Sequence, residues 1–129
     1  MTEAASQRTA LVVEDDPDIG KLLLWVLQRE GFTVTLVGDG RSATERIETG
    51  PATSLVMLDL MLPHVSGHEL LATLRARAPW RGVPVIMLTA KSQEKDIVKA
   101  LDAGANDYML KPFQPAELRA RIRRLVPAA

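Results

Sequence analysis

Acidic residues follow two apolar runs of this sequence, at points where a buried segment would reach the surface. The run LVMLDLMLP contains one charged residue, Asp59, and the run TALVV is followed directly by Glu14, Asp15 and Asp16. A lone carboxylate in a buried segment is costly unless it is paired or bound to a metal. Several carboxylates at one place also repel one another, so a cation is expected beside them.

This set of side chains is suited to phosphoryl transfer. Mg²⁺ prefers a few hard oxygen ligands and leaves room for water and phosphate. An aspartate can act as a nucleophile and form an acyl phosphate. The reaction needs mainly positioning and charge neutralisation, and Thr89 and Lys111, which follow two further apolar runs, offer a hydroxyl and a cation.

Five short apolar runs predict the strands of a buried sheet. They are rich in Val, Leu, Ile and Met and mostly lack alternation, which is typical of parallel strands covered on both faces. The predicted strands are 9–13, 32–37, 54–58, 83–88 and 106–110. Amphipathic segments with the spacing of core-facing helices lie between and after them, at 17–30, 41–49, from 66 onwards, 92–103 and 115–125.

Alternating strands and helices predict a flavodoxin-like, doubly wound (βα)5 fold of the α/β class, with a five-stranded parallel sheet in the order 2-1-3-4-5. Ligands of such sheets bind outside the carboxyl ends of the strands, where the strand order reverses. That point lies between strands 1 and 3, the two strands that the acidic residues follow. We therefore expect these carboxylates to converge at one edge of the sheet.

Length and composition indicate one ordinary globular domain. The chain has 129 residues, 47% of them hydrophobic and 25% charged, with 16 basic against 16 acidic residues and no cysteine. Disulfides, Cys-ligated zinc and thiol catalysis are excluded, and the charge balance gives no reason to expect nucleic-acid binding. We expect a cytoplasmic protein without a membrane segment, with a tail at 1–8, a domain at 9–126 and a tail or linker start at 127–129.

Four motifs together resemble the receiver domain of two-component response regulators. They are VVEDD (12–16), MLDLMLPHVSG (57–67), MLTA (87–90) and YMLKPF (108–113). Each motif is weak alone, but all four occur in order and at strand ends, and the resemblance covers roughly residues 8–126. The resemblance implies a phosphorylation-dependent signalling switch that catalyses its own phosphorylation and slow dephosphorylation.

The resemblance also implies a role for individual residues. Asp59 would accept a phosphoryl group from a phosphohistidine on a sensor histidine kinase or a phosphotransfer protein. The implied Mg²⁺ ligands are Glu14, Asp15, Asp59 and the backbone carbonyl of Met61.

Three further roles follow from the same resemblance. Thr89 would hydrogen-bond a phosphoryl oxygen, and Lys111 would form an ion pair with the phosphoryl group. Tyr108 would be the switch aromatic, turning inward as Thr89 moves. The bond between Lys111 and Pro112 is often cis in this family.

The output face that the resemblance implies is helix 4–strand 5–helix 5. In the OmpR/PhoB-type subfamily this face forms a symmetric homodimer, and Asp107, Glu117 and Arg121 match its charged positions. Ile97 stands where that subfamily usually has a basic residue, so one pair across the dimer is missing.

Other interpretations of these residues remain open at this stage. Asp16 fits a helix N-cap better than a metal ligand, and the arginines from 119 to 124 fit a solvated helix face. A flavodoxin-like module binding FMN or a nucleotide could use the same edge, although three acids follow strand 1 where a phosphate-binding loop would be. A Mg²⁺-dependent hydrolase with an Asp nucleophile would need a second Asp at position 61, which is Met61.

Overall fold

The computed structural model describes residues 8–127 of the chain. Five parallel strands form one sheet: β1 (Arg8–Val13), β2 (Phe32–Val37), β3 (Leu55–Leu58), β4 (Val85–Thr89) and β5 (Asp107–Leu110). Five helices follow them: α1 (Pro17–Arg29), α2 (Gly40–Thr49), α3 (Gly67–Ala76), α4 (Glu94–Asp102) and α5 (Pro115–Leu125), with a 3₁₀ turn at Ala78–Trp80. The strand order β2-β1-β3-β4-β5 confirms the predicted fold.

Successive residues of the central strands enter two different hydrophobic layers. In β1, Leu11 and Val13 contact the layer formed with α2, α3 and α4, whereas Ala10 and Val12 contact the layer formed with α1 and α5. All four side chains are buried. Both faces of the sheet are therefore covered, which explains why these strands carry no alternation of apolar and polar residues.

Local signals determine where the helices nearest the sheet edge begin. The Asp16 carboxylate accepts hydrogen bonds from the backbone N–H groups of Asp18 and Ile19, and Pro17 opens α1. Ser66 and Glu69 form the predicted capping box of α3. The interpretation of Asp16 as an N-cap is confirmed, and α1 begins directly after the acidic residues Glu14, Asp15 and Asp16.

Some predicted boundaries shift by one or two residues. The fourth strand begins at Val85 rather than at residue 83, because Pro84 has no N–H to donate to a neighbouring strand. The fourth helix begins at Glu94 rather than at 92, and its N-cap residue Gln93 makes no side-chain capping bond. Arg8 belongs to β1, while residues 1–7 and 128–129 of the two predicted tails lie outside the described part of the chain.

Two carboxylates hold α5 against the rest of the domain. The ion pairs join Arg119 and Arg123 to Glu30, and Arg121 and Arg124 to Asp107, with N···O distances of 2.9 to 3.2 Å. The arginine run that the sequence suggested as a solvated face therefore also fixes the orientation of this helix. None of the helices in residues 8–127 has the length and hydrophobicity that a membrane span requires.

Candidate functional site

The predicted site residues meet at the carboxyl edge of the sheet. Glu14 directly follows β1, Asp59 directly follows β3, Thr89 ends β4 and Lys111 directly follows β5. Glu14 is 4% exposed and Asp59 is 6% exposed, so both carboxylates are removed from most of the solvent. Because all strands run in the same direction, residues far apart in sequence come together here.

Lys111 connects the two buried carboxylates. Its Nζ donates to Glu14 Oε1 at 2.6 Å and to Asp59 Oδ2 at 2.7 Å. Burial raises the pKa of Glu14 above its usual value, although the hydrogen bond from Lys111 lowers it in part. Burial by itself lowers the pKa of Lys111, but the hydrogen bonds and charges of Asp59 and Glu14 raise it overall, so this lysine stays protonated.

Backbone groups orient both carboxylates. The N–H of Met61 donates to Asp59 Oδ1 at 2.9 Å, while the N–H of Asp16 donates to Glu14 Oε2 at 3.1 Å. Each carboxylate is thus held by an N–H group on one oxygen and by Lys111 on the other. Asp59 is therefore held in a fixed orientation at the carboxyl edge of the sheet.

Three acidic side chains are close enough to share a cation. Glu14, Asp15 and Asp59 each place a carboxylate oxygen within 4.8 Å of the other two. Asp15 is exposed, so the cluster opens to solvent on that side. When ionised, the three carboxylates and Lys111 leave two negative charges uncompensated, and an all-oxygen set of this kind fits Mg²⁺.

Thr89 and Tyr108 are linked through one backbone segment. The N–H of Lys91 donates to Thr89 Oγ1 at 3.3 Å, and the Tyr108 hydroxyl donates to the carbonyl of Lys91 at 2.8 Å. Thr89 is fully buried. Burial raises the pKa of Tyr108, and the carboxylates of Asp96 and Asp59 raise it further, so its hydroxyl remains a donor.

The loop after β3 approaches its neighbours more closely than the sequence suggested. A Cβ at position 67 would lie 2.7 Å from the Cα of Leu60 and would overlap the carbonyl oxygen of Asp59, so only glycine allows α3 to begin there. His64 has φ 71° in the same loop. The Ser66–Gly67 pair marked the start of a helix in the sequence, but not this close approach. The Lys111–Pro112 peptide bond is cis, as the resemblance implied.

This chain is similar in sequence to known proteins over most of its length. The family model of the response regulator receiver domain matches residues 10–123. The DNA-binding response regulator MtrA of Mycolicibacterium smegmatis is 47% identical over 114 residues, covering 88% of this chain and 48% of that protein. The phosphate regulon transcriptional regulatory protein PhoB of Klebsiella pneumoniae is 42% identical over 126 residues, covering 95% of this chain and 55% of that protein.

One solved structure is similar to this chain over nearly its whole length. The receiver domain of sensor histidine kinase PA1611 from Pseudomonas aeruginosa, with a magnesium ion coordinated in its active site cleft, has a TM-score of 0.82 and 35% identity. The match covers 92% of this chain and 97% of that one. The chain spans about half the length of the two curated relatives described above. The comparisons do not favour the nucleotide-binding or hydrolase alternatives.

The crowding of carboxylates predicts how the site responds to Mg²⁺. Asp15→Asn removes one charge from the cluster, so we expect the variant in EDTA to melt about 2–4 °C above the wild type. Saturating Mg²⁺ should raise the Tm of the wild type and raise that of the variant much less. Thermal unfolding with and without Mg²⁺ measures both effects.

Asp18→Asn is the matched control, because Asp18 is an exposed carboxylate in the first turn of α1 and lies outside the cluster. Its response to Mg²⁺ should equal that of the wild type. Equal Mg²⁺ responses of Asp15→Asn and the wild type would contradict a metal site at this cluster.

Proposed function

Because the chain belongs to the response regulator receiver family, we propose that Asp59 accepts a phosphoryl group from a sensor histidine kinase or a histidine phosphotransfer protein. Members of this family act in phosphorylation-dependent two-component signalling, and this chain is such a receiver. We take residues 9–126 as the receiver domain. The observation that carries the assignment of Asp59 is the sharing of Lys111 between the two buried carboxylates at the sheet edge.

The proposed reaction is a direct phosphoryl transfer. An oxygen of the Asp59 carboxylate attacks the phosphorus atom, the bond from phosphorus to the donor histidine nitrogen breaks, and an acyl phosphate forms on Asp59. The Met61 N–H and Lys111 hold the carboxylate in place beforehand. Lys111 then stays beside the phosphoryl oxygens as their ion-pair partner, which requires it to leave Asp59 Oδ2.

The proposed Mg²⁺ ligands are Glu14, Asp15, Asp59 and the backbone carbonyl of Met61. When bound, the ion would supply positive charge to the phosphoryl oxygens during transfer. The acidic cluster supports this proposal, as does the magnesium ion in the cleft of the PA1611 receiver domain. Glu14 and Asp59 are the buried members, and Asp15 is the exposed one.

The proposed switch begins at Thr89. Its Oγ1 would move from the Lys91 N–H to a phosphoryl oxygen, and the Lys91 backbone would move with it. The Tyr108 hydroxyl bonds the carbonyl of the same residue, so a change at Thr89 reaches the face made of α4, β5 and α5. This backbone link through Lys91 is the observation that supports Tyr108 as the switch aromatic.

We propose that the α4–β5–α5 face forms a homodimer in the phosphorylated state. Val98 and Leu101 on α4 and Leu110 on β5 are exposed apolar side chains. Arg121 pairs with Asp107 and Glu117 of the same chain, so these charged positions are already aligned beside the apolar group.

The first test is phosphorylation with acetyl phosphate and Mg²⁺, followed by intact-mass measurement. We expect one phosphoryl adduct on the wild type, and none on Asp59→Asn or in the presence of EDTA. Asp16→Asn is the matched control: it changes a carboxylate at the same edge but keeps a good N-cap, so its labelling should be normal. An adduct on Asp59→Asn equal to that on the wild type would reject Asp59 as the acceptor.

The acyl phosphate should be long-lived. The residues two positions after Asp59 and Thr89 are Met61 and Lys91, and neither can orient an attacking water as an acid or amide would. After removal of acetyl phosphate, we expect the adduct to decay over minutes or longer, and Met61→Asn to shorten its lifetime severalfold. Loss of the wild-type adduct within seconds, without a phosphatase, would contradict this prediction.

The dimer is tested by light scattering after size-exclusion chromatography, with beryllofluoride and Mg²⁺ as the phosphoryl mimic. We expect the mimic to double the mass of the wild type but not that of Leu101→Glu, which places a charge in the apolar group. Leu22→Glu on α1 is the control, since Leu22 is 37% exposed and Leu101 44%, and it should still dimerise. A wild type that stays monomeric with the mimic would overturn the proposal.

A further inference from the structure

The side chain of Arg75 is bound almost entirely by neutral acceptors. Its five N–H groups make six hydrogen-bond contacts, one of the N–H groups of Nη1 being shared; the acceptors are the carbonyls of Trp80, Arg81, Val83 and Gly104 and the side-chain oxygen of Asn106. In the described part of the chain, none of the ion pairs involves Arg75. A half-buried cation without a carboxylate is unusual, because burial disfavours its charge unless dipoles replace the missing partner.

The dipoles of two helix ends lie close to this cation. Arg75 is in the last turn of α3, and Gly104 lies just beyond the carboxyl end of α4. The carboxyl end of a helix carries partial negative charge, so a guanidinium between two such ends is stabilised by both. Bonds with a charged donor are also roughly twice as strong as neutral ones. Arg75 therefore joins the end of α3 to the end of α4.

Position 104 is shaped for this contact. Gly104 has φ 109°, and a Cβ there would lie 2.9 Å from Arg75 Nε. The N–H groups of Gly104 and Ala105 donate to Leu101 and Ala100, which closes the last turn of α4. Two N–H groups of Arg75 then bind the Gly104 carbonyl, at 2.7 and 3.1 Å.

Asn106 extends the connection to the sheet. Its side-chain oxygen accepts from Arg75 Nη2 at 3.0 Å and from the N–H of Val85 at 2.9 Å, and its own N–H donates to the Val85 carbonyl at 2.8 Å. Val85 is the first residue of β4. The carboxyl end of α4 is thus fixed to the start of a central strand.

The amino end of α4 has no comparable anchor. α4 is described from end to end, and only Ala100 of its nine residues is buried. Gln93 provides no side-chain cap, and residues 91–95 are exposed. The segment before this end is held by the hydrogen bonds of Lys91 to Thr89 and Tyr108, the two proposed switch residues.

From this asymmetry we infer that Arg75 is a positioning residue that makes the carboxyl end of α4 a fixed pivot, so that phosphorylation moves the amino end of the helix and leaves residues 103–106 in place. The inference rests on the proposed phosphorylation switch and adds the element that directs its motion. A swing about Gly104 displaces Val98 more than Leu101, because Val98 lies farther from the pivot. The angle of α4 within the α4–β5–α5 face then changes, while its carboxyl end stays attached to the rest of the domain.

Hydrogen–deuterium exchange tests the inference on the whole chain, with and without beryllofluoride and Mg²⁺. In the wild type we expect the mimic to change exchange in residues 89–98 and to leave residues 99–106 unchanged. In Arg75→Met without the mimic, residues 103–106 should exchange roughly tenfold faster, because several hydrogen bonds are lost. With the mimic, the change in this variant should spread into residues 99–106.

Labelling of Asp59 by acetyl phosphate provides a readout that separates positioning from damage to the site. Arg75 lies at the opposite edge of the sheet, so the labelling rate of Arg75→Met should stay within about twofold of the wild type. Arg81→Met is the matched control. Its guanidinium binds the carbonyls of Arg75 and Ala76 at the same helix end but does not reach Gly104 or Asn106, so its exchange should follow the wild type.

Arg75→Lys covers the case in which the methionine variant does not fold. A lysine keeps the charge but lacks the planar fork that spans several carbonyls, so we expect an intermediate increase of exchange at 103–106. A wild-type response to the mimic that includes 99–106 would overturn the inference, as would a response of Arg75→Met confined to 89–98. Failure of the proposed function is distinct, because it would appear as absence of the Asp59 adduct while exchange at 103–106 still depended on Arg75.

Discussion

The buried charge shared by Glu14, Asp59 and Lys111 is the constraint on which the arrangement of this domain depends. Removing Lys111 would leave both buried carboxylates without their cation, at a cost of several kcal/mol. The three side chains follow β1, β3 and β5, and β4 lies between β3 and β5 in the sheet. Lys111 must therefore extend across the end of β4, which its long aliphatic stem allows. The strand order and the lysine length together make the group possible.

The same constraint explains the chemistry that the edge can perform. Lys111 orients two buried carboxylates at this edge, and the acidic cluster, when ionised, carries two more negative charges than Lys111 compensates. A divalent metal ion bound there would neutralise this excess charge, and a phosphoryl group could then be accommodated beside it. The opposite edge differs, because Arg75 is satisfied there by backbone carbonyls and one amide oxygen. Negative charge remains uncompensated at the carboxyl edge, whereas the guanidinium of Arg75 has hydrogen-bond acceptors at the opposite edge.

Helix α4 connects these two edges. Its amino end follows the loop that contacts Thr89 and Tyr108, and its carboxyl end meets Arg75 at Gly104. In contrast, α5 is held on two sides by Glu30 and Asp107. A change at the carboxyl edge would therefore act more easily on α4 than on α5. Because few side chains at the amino end of α4 are buried, motion of that end costs little free energy.

The sequence by itself determined the fold class, the strand order and the identity of the residues at the sheet edge. Apolar runs without alternation specify strands buried on both faces, and residues that follow parallel strands must meet at one edge. It did not determine the bonds of Lys111 to both carboxylates, the close approach at Gly67, or the hydrogen bonds of Arg75. Those depend on distances in space between segments that are remote in sequence, such as those of Arg75 and Gly104, which are 29 positions apart. Periodicity records which face of an element is buried, whereas only the packed tertiary structure decides which polar atoms from different elements come within hydrogen-bonding distance.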